Sequence, residues 1–313
     1  INKKKRILFP FYLIKLLLVL LKAIREFDVF HFHFGRSFLL NHDLWLLKLF
    51  SKKIIYEFHG SDLRIMSLHA SMDPYSYCHH KEDSKKLKRR NEKIFKKSDL
   101  IILHDDELLV DIPEKYHKKV TVVPLRCNLD KIKPRYPSVD AFSRISIVHA
   151  PSNSSIKGTP YIEAAVAELE KKYPLDYIRI ENLEHDKAMN IYCDADIIID
   201  QLCVGTYGVF AIEGMALGKP VITYINQRMK ELLPEDCPIQ TANRDNIRSV
   251  LETLICDSAR RNHLGRAGRS YVEKYHNSNV IGRRLMDIYF SDQPLLKGRQ
   301  AFQAVAQLSQ EKE

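Results

Sequence analysis

One short stretch of the chain combines residue types that could hold a phosphate and a sugar hydroxyl. Gly205 and Gly208 allow backbone angles that other residues resist, so backbone N–H groups there can approach a ligand closely. The apolar residues 209–217 predict a short helix whose N-terminus points at this loop and favours an anion. Glu213 is an acid inside that apolar helix, and its carboxylate could accept hydrogen bonds from a sugar or ribose diol.

Two interpretations of Glu213 stay open at this point. An acid near the start of a helix is stabilised by the helix dipole and needs no ligand. A carboxylate held at the mouth of a cleft would instead bind one. The residues that follow define the local fold, because Gly218 is placed to end the helix, Pro220 cannot continue it, and residues 221–225 have strand character.

A second loop has the pattern of a phosphate site. A predicted strand, residues 145–149, runs into a polar loop that contains Lys157 and Gly158. Thr159 is a suitable N-cap for the next helix, and Pro160 suits its first turn. Strand, polar loop and helix start are the arrangement that binds phosphates. The alternative is that Lys157 is an ordinary solvent-exposed lysine.

Histidines mark two predicted strands in the first half of the chain. His31 and His33 alternate with phenylalanines, which places both imidazoles on one strand face. Two histidines with this spacing could ligate a metal, but no third ligand is close in the sequence, so no metal is predicted. His59 ends a second strand (53–59) at the carboxyl edge of a sheet, where open α/β sheets bind ligands. A structural histidine at a strand end is the alternative.

The elements that must position these residues follow a strand–helix alternation. Further strands are predicted at 99–103, 119–124, 177–181 and 196–200, with helices between them. Such alternation is typical of parallel sheets with crossover helices, hence of an α/β protein. Residues 131–139, which contain two prolines, predict a linker between two domains.

The charge of the chain is concentrated in its first half. Residues 1–140 hold 28 Lys and Arg against 17 Asp and Glu, whereas residues 141–313 hold 21 against 22. A basic helix is predicted at 85–97, and anionic lipid or a phosphate-bearing acceptor would suit it. Nucleic acid is not favoured as a partner, because no nucleic-acid-binding motif accompanies the charge.

Cysteine spacing and the N-terminal segment bear on location. The six cysteines show no paired spacing, which favours a reducing cytoplasmic compartment over disulfides or a zinc knuckle. The apolar run 7–21 is shorter than the roughly 20 residues that cross a bilayer, so a core helix or a membrane-surface helix is favoured over a span. The chain begins at Ile1 rather than Met, and we expect an N-terminal truncation.

The glycine loop and its helix resemble a known signature. Tyr207 and Gly208, followed by residues 213–221, are similar to the donor site of retaining GT-B glycosyltransferases of the family 4, group 1 type, which include sucrose and glycogen synthases. The resemblance implies an α/β GT-B fold: two Rossmann-like domains facing a cleft, the first incomplete at its N-terminus. We expect an acceptor-side domain at 1–135, a donor-binding domain at 136–278, and a tail at 279–313 that packs back toward the first domain.

The same resemblance implies roles for individual residues. Lys157 and Gly158 match a Lys-Gly pair whose lysine neutralises the donor diphosphate, Glu213 matches the nucleotide-binding glutamate, and His59 matches a histidine that faces donor sugar and acceptor. The implied catalytic residues are His59, Lys157 and Glu213, and the implied donor-binding residues are Lys157, Gly158, Gly205, Thr206, Tyr207, Gly208 and Glu213.

The implied activity is metal-independent transfer of a hexose, with no cofactor, from a UDP- or GDP-sugar to a glycan or lipid-linked acceptor. Retention of anomeric configuration is implied by the family alone. The expected location is the cytoplasm, with peripheral binding of the basic first domain to the anionic inner face of the plasma membrane.

Two departures from the family pattern keep other functions open. The family has a second glutamate where Gly205 stands, and an arginine where Ala150 and Pro151 stand. Both losses favour, as an alternative, a non-catalytic relative that binds a nucleotide sugar or a partner enzyme. A basic lipid- or nucleic-acid-binding protein with a nucleotide-fold core is a third interpretation.

Overall fold

The structure is a computed structural model that describes residues 3–76, 84–139, 144–290 and 294–310, with side chains from residue 12 onward. Cys78 therefore lies outside the described residues. The strands, in chain order, are β1 Val29–His33, β2 Lys53–Glu57, β3 Leu100–Leu103, β4 Val120–Val122, β5 Ile145–His149, β6 Leu175–Arg179, β7 Ile197–Ile199, β8 Val221–Thr223 and β9 Gln240–Thr241.

The helices, in chain order, are α1 Lys3–Glu26, α2 Leu44–Leu49, α3 Met66–Met72, α4 Ser84–Lys97, α5 Ser154–Lys157, α6 Thr159–Leu169, α7 His185–Asp194, α8 Val209–Ala216, α9 Gln227–Leu232, α10 Ile247–Cys256, α11 Ser258–Tyr275, α12 Ser278–Phe290 and α13 Gly298–Gln310. The chain forms two compact units. Unit 1 comprises Ile1–Ile65, Lys81–Val123 and Gln293–Lys297, and unit 2 comprises Met66–His80, Pro124–Asp292 and Gly298–Glu313.

Unit 1 is built on a four-stranded parallel sheet in the order β1-β2-β3-β4. Its central strands are continuous apolar runs: Ile54 and Ile55 of β2 and Ile101 and Ile102 of β3 are completely buried. Such runs are typical of parallel strands that are covered on both faces. Because all strands run in one direction, their carboxyl ends meet at one edge of the sheet.

Helix α1 packs on unit 1 by a narrow side. Leu20 and Ile24 are buried, whereas Ile14 and Leu18 are 56% and 61% exposed. From the sequence, α1 could be a core helix or a membrane-surface helix. In the structure only the narrow side with Leu20 and Ile24 is part of the core. Among the helices that the structure describes, none is both long enough and apolar enough to cross a membrane.

Unit 2 is built on a five-stranded parallel sheet in the order β6-β5-β7-β8-β9. Its core includes Ile147, Leu169, Ile197 and Leu251, all completely buried. Strands β5 and β7 are neighbours, so the loops that follow them start side by side at the carboxyl edge of the sheet. The two parallel Rossmann-like sheets predicted from the sequence are thereby confirmed.

The C-terminal segment is divided between the two units. Residues 293–297 belong to unit 1, where the backbone N–H of Val122 donates to the Leu296 carbonyl (2.8 Å). Helices α12 and α13 belong to unit 2, and their apolar side chains Ile281 and Phe302 are buried.

Candidate functional site

The loop after β5 is shaped by one cap and one glycine. The Asn153 side chain accepts two backbone N–H groups from the first turn of α5, each at 3.1 Å. Gly158 has a φ of 77°, and a Cβ there would lie 2.9 Å from Cβ of Leu202, so a side chain is excluded twice over. This turn ends α5 and fixes the position of Lys157.

Lys157 points at the loop that follows β7. Its ammonium donates to Oδ1 of Asp200 and to Oε1 of Gln201, each at 2.7 Å. Asp200 is completely buried, and its other oxygen accepts the backbone N–H of Gly208 at 3.0 Å. One carboxylate therefore joins the predicted phosphate-binding lysine to the predicted phosphate-binding loop. This carboxylate brings together two motifs that lie about 50 residues apart in the sequence.

Gly205 has a packing reason that explains a departure from the family pattern. A Cβ at this position would lie 2.1 Å from Nδ2 of Asn226, whose backbone N–H donates to the Gly205 carbonyl at 3.0 Å. A glutamate does not fit there unless Asn226 moves. At Gly208, by contrast, a Cβ would make an ordinary contact of 3.5 Å with Oδ2 of Asp200.

The residues between these glycines face inward. The Tyr207 hydroxyl lies 3.1 Å from both the Tyr271 hydroxyl and Nε2 of His276, and the Tyr207 side chain is buried. The Thr206 carbonyl accepts a hydrogen bond from the Gln201 side chain. A contact between Tyr207 and a donor would therefore have to use its backbone.

Glu213 lies one turn into α8, with buried Ile212 and Met215 beside it in the sequence. Its side chain is 14% exposed, and Oε1 accepts a hydrogen bond from Nε2 of His185 at 2.8 Å. That hydrogen bond is the main cause of a raised pKa at His185. Glu213 is therefore directed to a polar environment that a ligand hydroxyl could share.

A second cation stands near the Lys157 loop. The guanidinium of Arg179, at the end of β6, donates to the Ser154 hydroxyl at 2.9 Å and also pairs with Glu163 and Glu181. The sequence lacks the arginine that the family places before its Lys-Gly pair. Arg179 supplies a positive charge on the strand next to β5.

His59 lies at the carboxyl edge of the unit 1 sheet, as predicted. Its backbone N–H donates to Asp62, and its ring bridges two other imidazoles. Nε2 of His59 is 3.0 Å from Nδ1 of His33, and Nδ1 of His59 is 3.0 Å from Nε2 of His104.

The expectation that no third metal ligand lies close to His31 and His33, which rested on their sequence neighbours alone, is wrong. Nε2 of His31 is 3.1 Å from Oε2 of Glu57, and Nδ1 of His33 is 3.7 Å from the same oxygen. The cause is the register of the sheet, which pairs His33 with Glu57 on the adjacent strand. The three side chains are placed so that they could share a metal ion.

The sequence patterns did not point to several polar residues of these sites. Asp200 and His104 directly follow the buried strands β7 and β3, and the rule that carboxyl ends of parallel strands carry function would have found them. Gln201 follows Asp200 by the same logic. His185 has no such signal, because its contact with Glu213 depends on how α7 and α8 pack.

Comparison with known proteins gives a result at the level of the fold. No protein-family model and no curated protein sequence matches the chain. Sucrose-phosphate synthase from Thermosynechococcus elongatus is similar over 97% of this chain and 81% of its own, with a TM-score of 0.61 at 16% identity. Anabaena Alr3699/HepE, solved in complex with UDP, is similar over 87% of this chain and 81% of its own, with a TM-score of 0.61 at 13% identity.

An α,α-trehalose-phosphate synthase (UDP-forming) from Burkholderia xenovorans, solved with glucose-6-phosphate, gives a TM-score of 0.57 at 11% identity. The similarity covers 92% of this chain and 79% of that one. These structural neighbours are GT-B glycosyltransferases, as the resemblance in the sequence predicted. The chain therefore has the GT-B fold.

Proposed function

We propose that this chain transfers a hexose from a UDP- or GDP-sugar to a hydroxyl group of a glycan or lipid-linked acceptor, with retention of anomeric configuration. The observation that carries the proposal is the convergence of Lys157 and the Gly205–Gly208 loop at one edge of the unit 2 sheet. Helix α8 starts from that loop and carries Glu213. Structural neighbours that bind UDP support the choice of donor class.

In this proposal the diphosphate is the leaving group. The bond from the anomeric carbon to the phosphate oxygen breaks, a bond to the acceptor oxygen forms, and the proton of the acceptor hydroxyl passes to the departing phosphate oxygen. Lys157, the loop amides and the positive end of α8 stabilise the charge that develops on the diphosphate. Asp200 releases the ammonium of Lys157 when the diphosphate takes its place. These groups replace a metal ion at the diphosphate.

Glu213 is assigned to the donor nucleotide, where its carboxylate accepts hydrogen bonds from the ribose hydroxyls. His185 donates to the same carboxylate and orients it. His59 is assigned to the sugar and acceptor side. The backbone of Gly158, Thr206 and Tyr207 completes the donor site.

A non-catalytic relative that binds a nucleotide sugar is the second candidate. It is favoured by the closeness of Asn226 to Gly205, which leaves no room, while Asn226 keeps its place, for the second acid of the family that the sequence resembles. Donor binding without release of free nucleotide in the presence of glycan and lipid-linked acceptors would support this candidate over the enzyme.

The donor site is tested by calorimetric titration of UDP, GDP and ADP, each with its sugar conjugate. We expect saturable binding of one nucleotide, unchanged by EDTA, that weakens at least about tenfold in Glu213→Ala, since a hydrogen bond to a charged group contributes about 1.5–3 kcal/mol. Glu168→Ala is the matched control, because Glu168 is an exposed acid of unit 2 paired with Arg248. Binding that Glu213→Ala leaves intact would refute the assignment.

We also place the protein in the cytoplasm, bound peripherally to an anionic membrane as part of cell-envelope polysaccharide synthesis. The thiols of Cys127, Cys193, Cys203, Cys237 and Cys256 are free, which supports a reducing compartment. Helix α1 exposes apolar side chains such as Ile14 and Leu18. The lysines and arginine that α4 exposes are Lys85, Lys86, Lys88, Arg89, Lys93, Lys96 and Lys97.

The membrane proposal predicts co-sedimentation with vesicles that contain about 30% phosphatidylserine and none with pure phosphatidylcholine vesicles, because basic residues near an anionic surface contribute about 1 kcal/mol each. Replacing Lys85, Lys88 and Lys93 by glutamine should release most of the protein. Equal binding of this variant and the parent would show that α4 is not the membrane contact.

A further inference from the structure

We propose that unit 1 binds one divalent transition-metal ion, with zinc as the representative, through Glu57, His59 and His104. Imidazole nitrogens and a carboxylate oxygen are ligands that zinc accepts, and two histidines with one glutamate make a three-ligand set that leaves a position open. The sequence reading assigned no metal to this region, and the donor-site residues proposed above lie in the other unit.

The distances between the ligand atoms suit such an ion. Nδ1 of His59 lies 3.0 Å from Nε2 of His104, which lies 3.5 Å from Oε1 of Glu57. All three ligand atoms lie within 4.8 Å of one another. A tetrahedral zinc ion with bonds of about 2.0–2.2 Å holds its ligand atoms roughly 3.3 Å apart. Small side-chain adjustments would therefore bring all three into coordination.

The backbone positions of the ligands follow from the sheet. Glu57 is the last residue of β2, His59 comes two residues later, and His104 directly follows β3. Strands β2 and β3 are parallel neighbours, with Glu57 opposite Ile102. The ligands thus stand on the ends of two rigid strands, which fixes their separation before any ion binds.

Two more histidines are placed to orient the ligands. Nε2 of His59 faces Nδ1 of His33 at 3.0 Å, so a His59 that binds the ion through Nδ1 can donate its other N–H to His33. Nε2 of His31 lies 3.1 Å from the second oxygen of Glu57, and a small turn of the ring would let it donate to that oxygen. Outer partners of this kind fix the tautomer and direction of metal ligands.

A different set, His31, His33 and Glu57, could also hold an ion. We prefer the set with His59 and His104 for two reasons. If His59 and His104 bind the ion, His33 and His31 remain available to orient His59 and Glu57 from outside the coordination sphere. If His31 and His33 bind the ion, neither imidazole is left for that role. His104 is also 11% exposed against 39% for His33, so water competes less for it.

The charge of Glu57, which belongs to both ligand sets, gives a further reason to expect a metal ion at this place. Its side chain is completely buried, and a buried carboxylate needs a cation close by. A divalent metal ion bound to Oε1 of Glu57 supplies that positive charge.

The test measures zinc uptake by the metal-free chain in competition with a chromogenic chelator. We expect one equivalent to bind, and cobalt in its place to give the strong visible absorption of a tetrahedral site. His59→Gln, His104→Gln and Glu57→Gln should each lower zinc affinity by more than about 100-fold, and His31→Gln by about 10–100-fold, as outer-shell changes do. His42 is an exposed histidine of the same unit, so His42→Gln should leave the zinc affinity unchanged.

Circular dichroism and thermal melting confirm that each variant is folded, and His104→Gln serves if Glu57→Gln does not fold. The proposal is overturned if the folded parent protein takes up no stoichiometric zinc. It is also overturned if His104→Gln binds zinc as tightly as the parent while His31→Gln does not, since the other histidine pair would then be the ligands. None of these readouts depends on glycosyl transfer. A failure of the zinc proposal can therefore be distinguished from a failure of the proposed function.

Discussion

Replacing Lys157 by methionine should both destabilise unit 2 and abolish nucleotide-diphosphate binding. Asp200 is completely buried and is neutralised by the Lys157 ammonium at 2.7 Å. Removing one partner of a buried ion pair leaves an uncompensated charge and typically costs about 3–5 kcal/mol. The Gly208 N–H still donates to Asp200, so we expect a loss toward the lower end. Urea unfolding followed by circular dichroism measures the loss, and calorimetry with UDP measures binding.

A second substitution separates the two effects. Adding Asp200→Asn to Lys157→Met removes the buried charge, and most of the lost stability should return while nucleotide binding stays absent. The matched control is Lys172→Met, since Lys172 is exposed, lies in the same unit and pairs with Glu252 at 3.6 Å. Such surface pairs contribute about 0–1 kcal/mol. If the double variant is as unstable as the single one, the role given to the buried ion pair is wrong.

Mild acid should destabilise unit 2 through His276. This imidazole is buried; its Nδ1–H donates to the Leu125 carbonyl at 2.6 Å, and its Nε2 accepts from the Tyr207 hydroxyl at 3.1 Å. Burial disfavours the charged ring and lowers the pKa of His276 to about 4. In the unfolded chain a histidine has a pKa of about 6.5. The unfolded state therefore binds more protons at any pH between these values.

The sign of the effect follows from this difference. Stability from neutral His276 is complete above pH ~6.5 and falls as the pH drops toward 4, by about 1.4 kcal/mol per unit and about 3 kcal/mol in all. Urea unfolding at about pH 7, 6 and 5 should show this decline. His149, whose pKa is also lowered by burial, should add a decline of the same sign.

The contribution of His276 is isolated by His276→Gln. A glutamine can donate and accept hydrogen bonds but does not titrate, so the variant should be less stable at neutral pH and lose less stability on acidification. The difference between the two slopes is the measured quantity. Identical slopes for the variant and the parent would show that His276 does not carry the pH dependence.

The sequence was most informative where function depends on local pattern. The strand–helix alternation, the Lys157–Gly158 turn and the Gly205–Gly208 loop are all read from neighbouring residues, and the structure brings the two loops together through Asp200. Parallel neighbours with loops at one edge make this convergence predictable.

The parts that were missed depend on contacts between distant residues. A side chain at Gly205 is excluded by Asn226, which lies in the loop after β8 and packs against Gly205. The contact of His31 with Glu57 needs the exact pairing of β1 and β2, and a shift of one residue would turn Glu57 to the other face. Hydrophobic pattern predicts that such strands exist but not which polar side chains meet across them.

The carboxylate of Asp200 also bears on how quickly a reaction at this site could repeat. It holds the Lys157 ammonium and the Gly208 N–H, the two groups that the proposed function gives to the diphosphate. It is thus an internal anion that competes for the same place. If the chain transfers a sugar as proposed, a group that is already tethered there would displace the spent nucleotide. Asp200 would then shorten the residence time of that nucleotide and lower product inhibition at the cost of some donor affinity.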